Sequence, residues 1–435
     1  MTALLYALGV LVFAVGVAAS IGLHECGHLV PAKRFGVKVT QYFVGFGRTV
    51  WSTRRGETEY GLKAVPLGGY VKLVGMLPPA KGDTRPRAGN TGLFAQLVSD
   101  ARAAESELIG PGDEDRLFYR LPWWKKVIVM SGGPLVNLAI AFTLFAGIFG
   151  LYGTVEPTTT VATVSRCVVP AQDGARACTQ DDPPSPAYRA GLRPGDRIVS
   201  FNGTRVPDWE HLVGLIRSNA DGRAVIVYER DGALQTATTS TTVKAVRALD
   251  ADGATTGGFE QAGFLGVEST VARQRHGLVY TAEEMGSMTW QTFTALGSLP
   301  VKVYGVGKAV VGLEERAQDS PVSVVGAGRV AGEITSDTSN PLVDRIVFLL
   351  GLLAALNLFV GMFNFIPLLP LDGGHIAGAI YEGVRRGMAR LLHRPDPGHV
   401  DVAKMLPVAY VVAGGLLLMG LVLIAGDIVA PVQIG

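Results

Sequence analysis

Residues 24–28 read HECGH and follow directly on MTALLYALGVLVFAVGVAASIGL, residues 1–23, none of which is charged. On a helix, His24 and His28 project from one face, about 6 Å apart along the axis, so both rings can reach a single metal ion. Neutral imidazole nitrogens suit zinc, and Glu25 beside them suits a base that takes a proton from attacking water. The pattern is that of a zinc hydrolase, set at the end of a segment long enough to cross hydrocarbon. Three fixed positions in five are not rare by chance. The setting gives them weight, because a glutamate and two histidines beside an apolar span are costly without a function.

The whole chain fits a membrane setting. Of its 435 residues, 48% are hydrophobic and only 17% charged, whereas soluble domains carry about 25% charge. Four uncharged stretches, 1–23, 127–155, 346–371 and 405–426, are long enough to span a bilayer. The first is expected to be a retained span and not a signal peptide. It lacks a basic N-region and a small-residue cleavage site, and cleavage would separate HECGH from the segment that positions it. The net charge of +2 says little about partners, and no basic, aromatic pattern favours nucleic acid.

Orientation follows from the connections. KRFGVK just after the first span and WWKK just before the second put the basic bias in the first connection, whereas 153–343 is slightly acidic, with 21 Asp and Glu against 17 Lys and Arg. A cytoplasmic first connection is expected, with both termini and the long central section extracytoplasmic and Trp123 and Trp124 in an inner interfacial belt. Cys167 and Cys178 then fall in an oxidising compartment, where their spacing permits a local bridge, with two free thiols as the alternative. Cys26 does not share the face of the two histidines and reads as a packing residue.

Catalytic zinc usually takes three protein ligands. In NLFVGMFNFIPLLPLDGGH, residues 357–375, Asp372 is the one acidic residue. The first and third spans run in the same direction, so residues just past 23 and just past 371 meet at one face. Asp372 is the expected third ligand. The alternative is that Asp372 caps a helix beginning at GGH and His375 is the ligand.

Between these motifs, TQYFVGFGRTVWSTRRGETEYGLKAVPLGGYVKLVG (40–75) has short aromatic runs broken by glycines, which predicts strands lying near the site. Residues 80–118 read as a loop around a short helix. From 161 onward, strand-like VATVSR, the turn Asn202–Gly203, a helix capped by Asp208 and strand-like AVIVYERDG predict a compact domain. FLGVEST predicts a further strand. Residues 280–312 predict one or two helices, either on a membrane surface or solvated. SPVSVVGAGRVAGEI (320–334) is too interrupted for a span.

HECGH together with NFIPLLPLDGG (364–374) resembles the two signature motifs of the site-2 protease family, membrane-embedded zinc metalloproteases. GLRPGDRIVSFNG (191–203) is similar to a PDZ domain of the kind bacterial members carry. The layout resembles the bacterial regulator-of-sigma-factor proteases of actinobacterial type, over nearly the whole chain. The resemblance implies zinc held by His24, His28 and Asp372, Glu25 as general base, and Asn364 holding substrate or polarising the scissile carbonyl. It also implies that VPLGGYVKL pairs with an unwound substrate and that SGGPLVNL (131–138) is the second-span motif, with Gly132 and Gly133 permitting close helix approach and Asn137 expected to bond across to a neighbouring span. The variable middle positions of the first motif are here Cys26 and Gly27, and a glycine in a helix costs about 1 kcal/mol relative to alanine.

The expected fold is thus a polytopic α-helical membrane protein of about four transmembrane helices with a membrane-associated β element and an extracytoplasmic PDZ domain. Residues 1–75 hold the first span, zinc motif and strands, 76–122 a cytoplasmic loop, and 123–155 the second span. The PDZ domain occupies 157–250 and a juxtamembrane region 251–343. The third span with LDGG covers 344–375, a cytoplasmic connection 376–404, and the fourth span 405–435. The expected activity is cleavage, in the plasma membrane, of single-span substrates such as anti-sigma factors already trimmed by another protease. Two rival readings are a metal transporter, with the same three residues as a transit site, and an inactive PDZ membrane adaptor.

Overall fold

The computed structural model describes residues 2–78, 102–103, 107, 109–169, 177–179, 182–249 and 255–432. Most of the loop expected over 80–118 lies outside these residues. The helices in chain order are α1 (Thr2–Arg34), α2 (Trp123–Gly147), α3 (Pro186–Arg189), α4 (Trp209–Ser218), α5 (Leu278–Val310), α6 (Val324–Ser336), α7 (Leu342–Phe363), α8 (Asp372–Leu391) and α9 (Leu406–Val429). The chain forms two compact units, one of residues 1–152 with 277–435 and one of residues 153–276.

In the first unit, four helical segments among the described residues are long and apolar enough to cross a membrane: Thr2–Arg34, Trp123–Tyr152, Leu342–Phe363 and Val402–Val429. The first does not stop at residue 23. It runs unbroken through HECGH for 33 residues, with Lys33 and Arg34 in its last turn, where cations complement the helix dipole. The motif therefore lies inside the helix. The 346–371 tract is not one helix either: α7 ends at Phe363, and residues 364–371 turn before Asp372 opens α8. Pro367 and Pro370 deny this turn helical hydrogen bonds, and it closes instead through Gly373 N–H donating to the Asn364 carbonyl at 2.7 Å.

Strands β1 (Val39–Arg55) and β2 (Thr58–Leu73) are the expected β element, and each is long enough to bend back. Tyr42 pairs with both Val71 and Tyr60, and Val44 with both Gly69 and Leu62. The first half of β1 is thus sandwiched between the two halves of β2, and residues 69–73 form a sheet edge. Val37, Val39 and Leu73 are buried with Leu29 and Ala32 of α1 and Val129 and Met130 of α2, which anchors the ribbon beside the motif.

α5 is a single helix of 33 residues. Its start packs near the end of α2, with the Tyr280 and Phe149 rings edge to face at 5.4 Å. Trp290, Phe293, Val301 and Tyr304 remain exposed along it. α6 lies against α1, with Ala331 buried beside Phe13 and Val17.

In the second unit the sheet order is β10 (Val267–Gln274), β3 (Thr154–Val164), β4 (Arg197–Phe201), β6 (Arg223–Arg230), β7 (Ala233–Ser240), with β5 (Thr204–Arg205) on β4. β8 (Thr242–Leu249) and β9 (Thr255–Phe264) form a separate hairpin. Val161, Ile198, Phe201, Leu212 and Ile226 fill the core. β10 pairs with β3 from Val164 to Thr154, which carries this unit past residue 250 to His276. The expected local signals hold: Asp208 caps α4 by accepting from His211 N–H at 2.7 Å, and Asn202 and Gly203 make the turn with φ of 49° and 80°. Asp196 of the GLRPGD stretch is buried and paired with Arg230 at 2.7 Å. Cys167 and Cys178 are disulfide-bonded.

Candidate metal centre

α1 delivers His24 and His28 and α8 delivers Asp372 at its first position, so three electron-pair donors converge. His24 Nε2 and His28 Nε2 are 3.3 Å apart, and Asp372 Oδ2 lies 3.4 Å from the first and 3.3 Å from the second. Two zinc–ligand bonds of about 2.0–2.1 Å at a tetrahedral angle span about 3.3 Å. The triangle has the edge that zinc requires.

The tautomer agrees. His28 Nδ1 lies 2.8 Å from the Val129 carbonyl of α2. A carbonyl only accepts, so Nδ1 carries the proton and Nε2 presents its lone pair to the triangle, the arrangement in which a backbone carbonyl orients a metal-binding imidazole. A lone pair facing a carboxylate and a second imidazole calls for a cation between them. Among the described residues, His24, His28 and Asp372 are the grouped donors with this spacing. His375, on the next turn of α8, is not in the group. Asp372 is the first residue of α8 and not its cap, since Leu371 holds that position. Cys26 is also outside it: its Sγ donates to the Tyr42 hydroxyl at 3.4 Å, and that hydroxyl donates to the Gly22 carbonyl at 2.7 Å.

α2 backs the two imidazoles with Gly133, where a Cβ would lie 2.7 Å from His24 Nε2 and closer still to His28 Nε2. One residue before it, Gly132 meets Gly27 of the motif backbone to backbone, and a Cβ on either would overlap the other's carbonyl. Gly27 is therefore a contact of the helix crossing. Reading HECGH alone gives no reason for it; the signal was its pairing with the double glycine in SGGP.

Glu25 is buried and, with His24 and Asp372, lines a cavity of about 410 Å³. Pro66, Gly68 and Gly69 of β2 line it too, and a Cβ on Gly69 would sit 2.9 Å from Glu25 Cγ. Asn364, the residue that caps the end of α7 and opens the turn, lines the same space. A carboxylate, three convergent donors, an amide and a strand edge thus share one chamber. Sequence reasoning missed the Val129 carbonyl, which no side-chain pattern can reveal, and two further cavity residues, Ser20 and Asn357.

A sequence model described as peptidase family M50 matches residues 12–392. The chain belongs to peptidase family M50. This is the site-2 protease family, and its members are membrane metalloproteases, so the chain is an integral membrane protein. An M50 relative from Mycobacterium tuberculosis, zinc metalloprotease Rip1, is 34% identical over 446 residues, covering 99% of this chain and 100% of the relative. Rip1 of Mycolicibacterium smegmatis is 32% identical over 442 residues, with 99% and 100% covered. Metalloprotease MmpA of Caulobacter vibrioides is 24% identical over 387 residues, 86% of each chain. The M50 match runs from within α1 to the end of α8 and so includes all the metal-centre residues.

Proposed function

We propose that the chain is a zinc-dependent intramembrane endopeptidase acting in regulated intramembrane proteolysis, with His24, His28 and Asp372 as ligands and Glu25 as general base. The observation that carries the reading is the donor triangle with edges of 3.3–3.4 Å beside a buried glutamate. Bound there, zinc acts as a Lewis acid toward the scissile carbonyl and acidifies water. Glu25 takes the proton of the attacking water and returns it to the leaving amine. Asn364 donates its amide hydrogens toward the carbonyl oxygen as charge develops on it. Val129 keeps His28 in its metal-binding tautomer.

A peptide bond inside a helix is shielded by its own hydrogen bonds, so the substrate segment has to open. The edge at residues 69–73 offers it an alternative strand partner, and its first residue, Gly69, lines the cavity. Substrates are single-span membrane proteins, of anti-sigma-factor type, whose external part another protease has already shortened. The domain over residues 157–250 is of PDZ type and lies, with both termini, on the extracytoplasmic side, where it turns away untrimmed substrates. The basic bias of the first connection is the support for this orientation.

The test is reconstitution of the full chain with single-span proteins in trimmed and untrimmed forms. Zinc-dependent cleavage of trimmed forms is expected. Transport of labelled zinc without any cleavage would favour the transporter reading, and labelling of residues 81–90 only from outside would invert the orientation.

A further inference from the structure

The cavity beside the donor triangle has one wall residue that comes from none of the motif-bearing elements. α1, β2, α2, α7, the turn before α8 and Asp372 supply the rest; among the described residues, Val324 at the start of α6 is the exception. Val324 is 41% exposed, so protein does not cover it and it is open to whatever enters the cavity.

Its height above the reaction centre follows from the packing of α6. This helix runs antiparallel to α1: Thr335 stands beside Gly9, and Ala331 beside Phe13 and Val17. Eleven residues before Thr335, Val324 comes level with Ser20, one turn before His24. One turn is about 6 Å along α1, which an extended chain covers in about two residues.

The wall is also fixed. Asp427, near the end of α9, accepts from Ser323 N–H at 2.7 Å and from Gly326 N–H at 3.1 Å, so one carboxylate holds the backbone on both sides of Val324. Arg316 pairs with that carboxylate at 2.9 Å, and a Cβ on Gly326 would run into it. Further along α6, Gly332 lies against the Tyr6 ring and the Ala331 carbonyl lies against Gly9, each too close for a Cβ. Ser20 Oγ accepts from Asn357 Nδ2 at 3.0 Å, which ties α1 to α7. A close-packed wall seated at this many points transmits a size mismatch and does not absorb it.

Val17, Ile21, Val324, Leu356 and Val360 make up an apolar side of the cavity that is continuous with the donor triangle. A chain held at its scissile bond lays a neighbouring side chain against it. We propose that Val324 is a specificity-determining residue: it closes an apolar pocket for the substrate side chain about two positions from the scissile bond and limits that side chain's size. The pocket rests on the proteolytic reading above and adds to it a class of substrate, segments with a mid-sized aliphatic side chain at that position. In an apolar pocket, one methylene too many or too few is worth about 10–200-fold in kcat/KM.

The test measures kcat/KM for the natural full-length chain, Val324→Ala and Val324→Phe in nanodiscs. The substrates are trimmed single-span proteins carrying Ala, Leu or Phe at each of the three positions on either side of the cleaved bond. At one position the natural chain should prefer Leu. There Val324→Ala should shift by about tenfold or more toward Phe, and Val324→Phe by a similar factor toward Ala. Val324→Ala, the milder change, decides the matter where Val324→Phe does not fold. An unchanged order of side chains at every position in Val324→Ala overturns the pocket and leaves the proteolytic reading standing. So does a loss in Val324→Ala that is equal for all three side chains. Absence of cleavage by the natural chain overturns the proteolytic reading, and the pocket with it.

Discussion

Gly27 of α1 and Gly132 of α2 touch through their backbones, and neither has room for a Cβ beside the other's carbonyl. Pro31 removes the N–H that would otherwise bond the Gly27 carbonyl within the helix, and it is this carbonyl that Gly132 meets. The crossing sets how close α2 comes to the imidazoles. Two effects of Gly27→Ala oppose each other: helix propensity favours alanine by about 1 kcal/mol, and overpacking costs about 1–3 kcal/mol or more. With backbone as the obstacle, overpacking wins. Thermal unfolding in detergent should show Gly27→Ala and Gly132→Ala both less stable than the natural chain; a raised midpoint for either would show the helices free to separate.

Gly133 acts on the metal centre more directly, since a Cβ there would enter the space of both Nε2 atoms. Gly133→Ala should weaken zinc binding at least as much as loss of an orienting partner does, about 10–100-fold. Chelator competition measures this, and an unchanged zinc affinity would mean that the imidazoles can shift without leaving the triangle.

These three glycines show what the sequence could and could not reveal. The spans, the histidine pair of α1 and the candidate at Asp372 were legible because charge-free length and short motifs carry them. Two boundaries were not. The polarity of Glu25 and the histidines suggests a span that ends before HECGH, but α1 continues to Arg34 since polar groups buried against α2 and β2 need not end a helix. The apolar run to residue 371 hid a break at Asn364, where prolines and not polarity end α7. The doubling back of β1 and β2, the Val129 carbonyl and the Ser20–Asn357 bond are backbone or long-range facts with no local signature.

Glu382 of α8 is buried ten residues beyond Asp372 and accepts from Lys126 Nζ of α2 at 2.8 Å and from Val400 N–H at 3.1 Å, with His399 Nδ1 at 3.3 Å. This pair ties α8, which carries Asp372, to α2, which orients His28. Removing one partner of a buried pair costs about 3–5 kcal/mol, whereas replacing both with apolar side chains is often near neutral. Glu382→Leu should therefore be strongly destabilised, and Lys126→Met with Glu382→Leu should recover most of the loss. Equal instability of the single and double variants in denaturation would contradict this.

The same carboxylate gives a pH signature. Burial raises its pKa, but His399, Lys126 and the Val400 N–H outweigh it and bring it from the ordinary 4.5 down to about 2. A group with a depressed folded-state pKa contributes stability that is full above the unfolded value and is lost as pH falls toward the folded one. The Glu382 contribution should therefore decline between about pH 4.5 and 2. Unfolding midpoints across that range should fall less steeply for Glu382→Gln than for the natural chain. Parallel slopes would exclude Glu382 as a source of acid sensitivity.

The central claim is that His24, His28 and Asp372 hold one zinc and that Glu25 moves the proton. It is tested most directly by measuring bound zinc and cleavage of a trimmed single-span substrate in parallel, for the natural chain, Glu25→Gln and Asp372→Leu. Glu25→Gln should keep the zinc of the natural chain and lose cleavage by about 10²–10⁴-fold, the range of general acid–base catalysis, while Asp372→Leu should lose both. Cleavage at the natural rate by Glu25→Gln, or undiminished zinc binding in Asp372→Leu, would contradict the account.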